Sequence, residues 1–291
     1  VRLRAVSAVY TCKGGCESNE DNVFCGGGAF GVADGLGGHS GGAAASEAAV
    51  KYFSEHYSLA ADPAGMAELL EGANTAVRRL GRGMSTVAAA GLGDGGFTLG
   101  NVGDSRVYFF HSGRIIAQTR DHSVCQAAVE MGEITPEQIR GNEDRSRLLK
   151  ALGSAERLDL KKLPEQLPVH SGDAFLLCTD GFWEHVHERE MECDLAKSEN
   201  PTEWRDRMLK RLLLKTGNGG DNYTVLCGIL TDQPEEPSPK RKAGRAFRLP
   251  RLLITAAAVL LMLAGLIAAL MFLSGDGGEA SESGSSVTDI L

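Results

Sequence analysis

Acidic side chains in this chain recur in one local setting, where an apolar run stops, an aspartate follows, and glycine comes next. Phe30-Gly31-Val32-Ala33 runs into Asp34-Gly35, and Phe175-Leu176-Leu177-Cys178-Thr179 runs into Asp180-Gly181. Asp221 reverses the order, with Gly219-Gly220 before it and an apolar run from Tyr223 after it. Asp104, in Gly103-Asp104-Ser105-Arg106, and the pair Glu20-Asp21, ahead of Val23-Phe24, are further candidates. Short apolar runs read as buried strands, so an acid at such an end sits where the sheet opens to solvent. Each acid alone is as readily a turn residue. Clustered, they would repel one another too strongly to stay ionised without cations. An all-oxygen donor set with no His or Cys cluster selects magnesium or manganese over zinc or copper. Two such ions, about 3.5–4 Å apart, would hold a shared water, lower its pKa toward about 7 and supply hydroxide for in-line attack on phosphorus.

Other chemistries fit poorly. The loop Asp34-Gly35-Leu36-Gly37-Gly38-His39-Ser40-Gly41-Gly42 has the wrong glycine spacing for a dinucleotide fingerprint, and its acid precedes the loop. There is no Gly-Lys-Ser/Thr phosphate loop. A net charge of −8 argues against non-specific nucleic-acid binding. Cys12 and Cys16 resemble half a zinc site, but no second Cys/His pair completes it. Seven irregularly spaced cysteines, and Val1–Tyr10 with two arginines and no secretory pattern, suit reduced cytosolic thiols.

The elements that must position these acids follow from periodicity. Arg2–Thr11 alternates as a strand with one buried face, and Ala29–Ala33 is another. Ser46–Tyr57 and Pro63–Leu80 carry helical apolar stripes through Phe53 and through Met66, Leu69, Leu70, Ala73 and Val77. From Met84 to Ile116, short strands joined by glycine turns predict an antiparallel meander. Arg120–Leu152 is polar, helical in patches and broken by Pro136, a candidate mobile flap whose Arg120, Arg140, Arg145 and Arg147 could meet an anion or simply be solvated. Glu190–Lys215 predicts one or two amphipathic helices, and Tyr223–Leu230 a final strand.

Beyond residue 231 the composition changes. Residues 232–251 begin as a Pro-rich linker and end in a basic cluster that includes Lys240, Arg241, Lys242, Arg245 and Arg248. Residues 252–273 contain no charge and a single polar residue, Thr255. As a helix this stretch is about 33 Å long at about 1.5 Å per residue, against a hydrocarbon core of about 30 Å. It reads as one transmembrane helix, and the basic flank places the preceding residues on the cytoplasmic face. Residues 274–291 form a short acidic, Ser/Gly-rich tail outside the cell membrane.

Six motifs in order, Asn19-Glu20-Asp21-Asn22, Val32-Ala33-Asp34-Gly35-Leu36-Gly37-Gly38-His39, Asn101-Val102-Gly103-Asp104-Ser105-Arg106, Arg120-Asp121-His122-Ser123, Thr179-Asp180-Gly181 and Gly220-Asp221-Asn222, carry a resemblance. Over residues 1–231 the chain resembles the metal-dependent serine/threonine protein phosphatases of type 2C (PPM), in their bacterial form. The resemblance implies an α+β fold, a four-layer α-β-β-α sandwich of two antiparallel sheets flanked by helices. It implies Mn2+ or Mg2+ as cofactor, two ions with a third, weaker one. Asp34 would bridge both ions, Glu20 and the Gly35 carbonyl would complete one site, and Asp180 and Asp221 would hold the other. Asp21 would orient metal-bound waters, so Asp21 and Asp34 are the catalytic candidates. Asp104 resembles a ligand of the third ion, and Ser146 falls where bacterial relatives add a flap contact to it.

Two positions depart from the family pattern. Cys16 stands where relatives place an arginine that grips the substrate phosphate, and a thiol offers no cationic fork. Lys13 is the candidate replacement, with Asn222 as a second substrate-binding candidate. Leu36 stands where many eukaryotic relatives carry a histidine. The expected substrates are phosphoserine and phosphothreonine proteins, and a membrane-bound Ser/Thr kinase is the expected counterpart. The alternative is a pseudophosphatase that binds phosphoproteins without turnover.

Overall fold

The computed structural model describes residues 3–37, 40–160, 163–217, 219–233, 262, 263 and 267. Its contacts divide the chain into Val1–Pro234 and Glu235–Leu291. Of the second unit only residues 262, 263 and 267, all helical, are described. Among the described residues no helix is long and apolar enough to cross a membrane. The stretch 252–273 lies outside them except for those three residues, and the linker from 234 and the tail lie outside them entirely.

The first unit is built on two antiparallel sheets. One orders its strands β1 (Leu3–Cys12), β11 (Tyr223–Asp232), β10 (Ala174–Cys178), β8 (Arg106–His111) and β9 (Arg114–Gln118). The other orders β2 (Asn22–Gly26), β3 (Ala29–Ala33), β6 (Val87–Gly93) and β7 (Gly96–Val102). A third, short pair joins β4 (Gly35–Leu36) to β5 (Met84–Ser85). Between the two large sheets lie Phe30, Val32, Phe97, Phe109, Phe175, Leu177 and Leu226. Their rings interlock, with centroids 4.4 Å apart for Phe30–Phe175 and 5.0 Å for Phe97–Phe109. Every residue of β3, β7 and β10 is buried, because both faces of these strands are covered.

Helices cover the outer faces. Against the four-stranded sheet, α1 (Ser40–His56) and α2 (Pro63–Arg78) present Ala45, Ala49, Phe53, Met66, Leu69 and Leu70 to Ala29, Ala33 and Ala89. Asp62 caps α2, its carboxylate accepting from the Ala64 and Gly65 amides at 3.0 Å. Against the five-stranded sheet lie α3 (Val124–Glu130), α5 (Glu188–Leu195) and α6 (Pro201–Thr216), with Met191, Trp204, Met208 and Leu212 on Tyr108, Phe110, Leu176 and Cys227. The expected α-β-β-α layering is therefore present.

Two expectations are corrected. The run from Met84 to Ile116 is not one meander: β6 and β7 pair in one sheet, β8 and β9 in the other, and the chain changes sheets at Gly103-Asp104-Ser105. Gly103 has φ +94, and a Cβ there would press on Thr86. The first helix begins at Ser40, six residues before the expected start at Ser46, because its opening turns pack backbone to backbone where only small residues fit.

Candidate metal centre

The sheet changes explain why acids distant in sequence meet. Asn22 pairs with Ala33, so Glu20 and Asp21 before β2 and Asp34 after β3 share one rim of the four-stranded sheet. On the facing rim, Arg106 pairs with Cys178 and Cys178 with Val225, which gathers Asp104, Asp180 and Asp221. Between the rims opens a cleft of about 490 Å³ lined by Glu17, Glu20, Asp34, Asp104, Asp180 and Asp221, with Cys16, Gly35, Leu36, Ser146 and Asn222. Two candidates do not line it. Asp21 lies beneath, buried, and Lys13 is exposed.

Asp34 and Glu20 are held through their backbone, and Asp21, Asp180 and Asp221 through a carboxylate oxygen. Ser85 Oγ donates to the Asp34 carbonyl at 2.7 Å, and the Thr86 amide donates to it at 2.8 Å. Glu20 is fixed from two sides: its amide donates to Asn222 Oδ1 at 2.7 Å, and Ser46 Oγ donates to its carbonyl. Asp21 Oδ2 accepts from Thr179 Oγ1 at 2.9 Å, and that hydroxyl in turn accepts from the Thr224 amide at 2.9 Å. Asp180 opens the short helix α4 (Asp180–Trp183), and its Oδ1 accepts from the Gly181 amide at 2.7 Å. Asp221 Oδ1 accepts from the Asn222 amide at 2.7 Å.

The proton affinities show what this convergence does. Burial, then Asp180, Asp21, Asp104 and Asp221, hold the Asp34 carboxyl well above its usual range. Asp180 is raised well above it by burial, then by Asp104 and Asp221. Burial and the neighbouring Asp121 push Asp104 up to about 7, and burial raises Asp21 to about 6 despite its hydroxyl partners. Asp21 Oδ1 is buried with no hydrogen-bond partner among the described residues. A rigid set of oxygen donors that repel one another, with an orphaned carboxylate oxygen beneath, fits hard divalent cations. Among the described lining residues there is no lysine or arginine to supply the missing positive charge.

Contacts place the remaining candidates. Asn222 binds the chain: besides accepting from Glu20, its Nδ2 donates to the Lys13 and Ser18 carbonyls at 3.0 Å each. Its amide thus ties residues 13–20 to the rim, and Asn222 also lines the cleft. Cys16 does line the cleft, its thiol 3.5 Å from Asp221 Oδ1. The four flap arginines do not line it: Arg140 donates to the Trp183 carbonyl and to Glu188, Arg145 to Glu184 and Arg147 to Asp144, while Arg120 lies 3.5 Å from Glu130. The flap is thereby tied to residues 183–188, with Ser146 and Leu148 turned toward the cleft.

Sequence reasoning gave no role to Arg106, Asp121 or Trp183. Arg106 forms a buried fork on Asp121, with Nε at 2.9 Å and Nη2 at 2.7 Å, and lies 3.4 Å over the Trp183 ring. Trp183 Nε1 donates to the Asp104 carbonyl at 2.9 Å, so the network sets the position of Asp104. The signal was present in Asp104-Ser105-Arg106 and Arg120-Asp121, but spacing could not show that the two motifs touch.

Gly35 sits in close backbone packing. A Cβ there would overlap the Gly42 carbonyl of α1 and crowd the Glu20 carbonyl at 2.9 Å. Gly35→Ala is expected to cost about 1–3 kcal/mol by overpacking and to weaken binding of one divalent ion. Calorimetric Mn2+ titration checks it, since an unchanged isotherm would mean that the backbone moves aside freely.

Comparison with known proteins matches residues 18–214 to the family described as Protein phosphatase 2C. Serine/threonine protein phosphatase PstP of Mycobacterium tuberculosis is 31% identical over 235 residues, covering 74% of this chain and 43% of that protein. The chain thus spans less than half the length of that relative. Serine/threonine phosphatase stp of Listeria monocytogenes is 29% identical over 209 residues, covering 67% of this chain and 81% of that one. The crystal structure of the Mycobacterium smegmatis phosphatase MsPP with cacodylate superposes with TM-score 0.67 at 29% identity, covering 77% of this chain and 97% of that one. The PstP catalytic domain in complex with two manganese ions superposes with TM-score 0.67 at 26% identity, covering 79% of this chain and 100% of that one.

Proposed function

The chain belongs to the protein phosphatase 2C family, and we propose that it hydrolyses phosphoserine and phosphothreonine on proteins with two divalent ions, Mn2+ or Mg2+, in the cleft. The observation that carries this reading is the convergence of Glu20, Asp34, Asp180 and Asp221 on one cleft, with the Gly35 backbone beside them. Asp34, Glu20 and the Gly35 carbonyl would hold one ion, Asp34, Asp180 and Asp221 the other, and Asp104 with Ser146 a third, weaker one. When bound, the ions would supply an activated water and neutralise the phosphoryl oxygens. Asp21, buried beneath the cleft, would orient the metal-bound waters. The pseudophosphatase alternative has no support in the site, whose full set of acids would be costly to keep together without cations. The test is Mn2+-dependent release of phosphate from a phosphothreonine peptide by the full chain. Hydrolysis that persists undiminished in excess chelator would refute it.

Substrate grip should be weak in this chain, because the cleft has no cationic side chain among its described residues. Cys16→Arg is expected to lower KM by roughly tenfold, the scale of one charge-assisted contact, with kcat little changed. Lys13→Ala, altering an exposed side chain off the cleft, should leave KM where it is. A lowered affinity in the lysine variant would restore Lys13 as the phosphate ligand.

The reading includes a membrane. Residues 1–231 form the phosphatase domain, 232–251 a linker with a basic end, 252–273 a single transmembrane helix and 274–291 an extracytoplasmic tail. The uncharged length of 252–273 and its basic N-terminal flank support a cytoplasmic catalytic domain tethered to the cell membrane. A membrane-bound Ser/Thr kinase is the counterpart that such a tether would serve. Recovery of the full chain in a carbonate-washed membrane fraction tests the anchor independently of activity.

A further inference from the structure

The strands that carry the acidic cleft at one end carry a group of side chains with metal-ligand chemistry at the other. His111 closes β8, and Asp173 immediately precedes β10. Phe110 pairs with Ala174, so the next residues outward, His111 and Asp173, face each other across the ladder. His170 joins them through the turn before β10, where Gly172 has φ +92. The Asp173 carboxylate is buried, while the two imidazoles are partly exposed. Oδ1 lies 2.8 Å from His111 Nδ1, Oδ2 lies 3.5 Å from His170 Nδ1, and the two ring centroids are 5.1 Å apart. Donor atoms from all three residues fall within 4.8 Å of one another.

The backbone beneath is rigid. The Leu230 amide donates to the Asp173 carbonyl at 2.7 Å, the Gly172 amide to the Leu230 carbonyl at 2.8 Å, and the His170 amide to Asp173 Oδ2 at 2.8 Å. Two neutral imidazoles and one carboxylate are the donor set of late first-row divalent ions, chiefly zinc. Ligands at about 2.0–2.1 Å from zinc stand roughly 3 Å from each other, and the two Asp173 oxygens lie 2.8 Å and 3.5 Å from the nearer nitrogens of the two rings. The His111–Asp173 hydrogen bond at 2.8 Å holds the same atoms together in the metal-free protein.

We infer that His111, His170 and Asp173 form a zinc site, separate from the acidic cleft, that clamps β8 to the turn entering β10. Its remaining coordination positions face solvent. β8 and β10 run from this site to Asp104 and Asp180, a span of roughly 20 Å at about 3.3 Å per residue. The clamp therefore acts on the far end of the strands that carry those acids. The site stands independently of the phosphatase reading.

The test uses the full chain with its acidic cleft saturated by excess Mn2+, titrated with Zn2+. The wild type is expected to take up one zinc equivalent more than His111→Gln/His170→Gln and to show shifted ring ¹H–¹⁵N resonances for both histidines. Its melting temperature should rise with zinc, and the variant's should not. Asp173→Asn is a second variant, with the histidines kept, expected to lose affinity at least tenfold. Equal zinc stoichiometry in wild type and double variant, or ring resonances unmoved by zinc, would overturn the assignment. Both histidines are partly exposed, so the double variant should fold, and its Mn2+ binding confirms that it has.

Discussion

Asp180→Asn should lower Mn2+-dependent phosphopeptide hydrolysis by about 10³-fold or more, a loss of about 4 kcal/mol in transition-state stabilisation. It should also raise the melting temperature of the metal-free protein. Both effects come from one cause. Burial, with Asp104 and Asp221 beside it, already holds this carboxyl well above its ordinary range. Its ionised form is therefore the one the fold tolerates least without cations, and the form that metal binding requires. Asparagine keeps the shape, and its carbonyl can still accept from the Gly181 amide, now 2.7 Å from Asp180 Oδ1. It removes a charge that only metals compensate. Activity and metal-free stability should move in opposite directions, as they do where function holds like charges together. Parallel kinetics and calorimetry on wild type and variant decide the matter. Equal rates would remove Asp180 from the catalytic machinery, and a fall in metal-free stability would mean that the carboxylate is already balanced by protein.

The metal-free protein should be markedly more stable at pH 5 than at pH 8, by several kcal/mol, and Mn2+ should abolish or reverse that order. Asp21 and Asp104 have folded-state pKa values raised to about 6 and about 7, and Asp34 and Asp180 are also held well above the ordinary carboxylate range. In an unfolded chain a carboxyl titrates near 3.9, so between there and its folded value the native state binds more protons. The stabilisation is complete below about pH 4 and is lost as pH rises through about 6 and then about 7. Bound cations favour the ionised acids, so metal affinity rises over the same interval. Thermal denaturation of chelator-treated protein from pH 5 to 8, with and without Mn2+, measures this. A stability that climbs with pH in the absence of metal would show that the acids do not face one another in solution.

Arg106 explains why the centre tolerates one of its acids so deep in the protein. Its fork on Asp121 neutralises a carboxylate that also raises Asp104, and its stacking on Trp183 holds the ring whose N–H donates to the Asp104 carbonyl. The arginine and Asp121 are both buried, at 4% and 2% side-chain exposure, so removing either partner would strand the other's charge. The same accounting shows why the flap arginines do not line the cleft. Arg140 and Arg145 are occupied by Glu188 and Glu184.

The chain order alone determined the two-faced burial of the central strands and the placing of acids at their ends. A fully apolar run cannot end in a carboxylate except at a rim, and glycine beside it lets other backbone approach closely. Asp34, Asp180 and Asp221 were legible for that reason, as were the stripes of α1, α2 and α6. Tertiary structure alone decided which sheet each strand joins, because residue alternation reports that a face is buried and not what covers it. The split between β7 and β8 and the use of Asn222 as a tie for residues 13–20 follow from that choice. So do the contacts of Arg106 with Asp121 and of His111 with Asp173. Their partners lie 15 and 62 residues apart, and only strand pairing in space, which no local pattern encodes, brings such atoms within reach of one another.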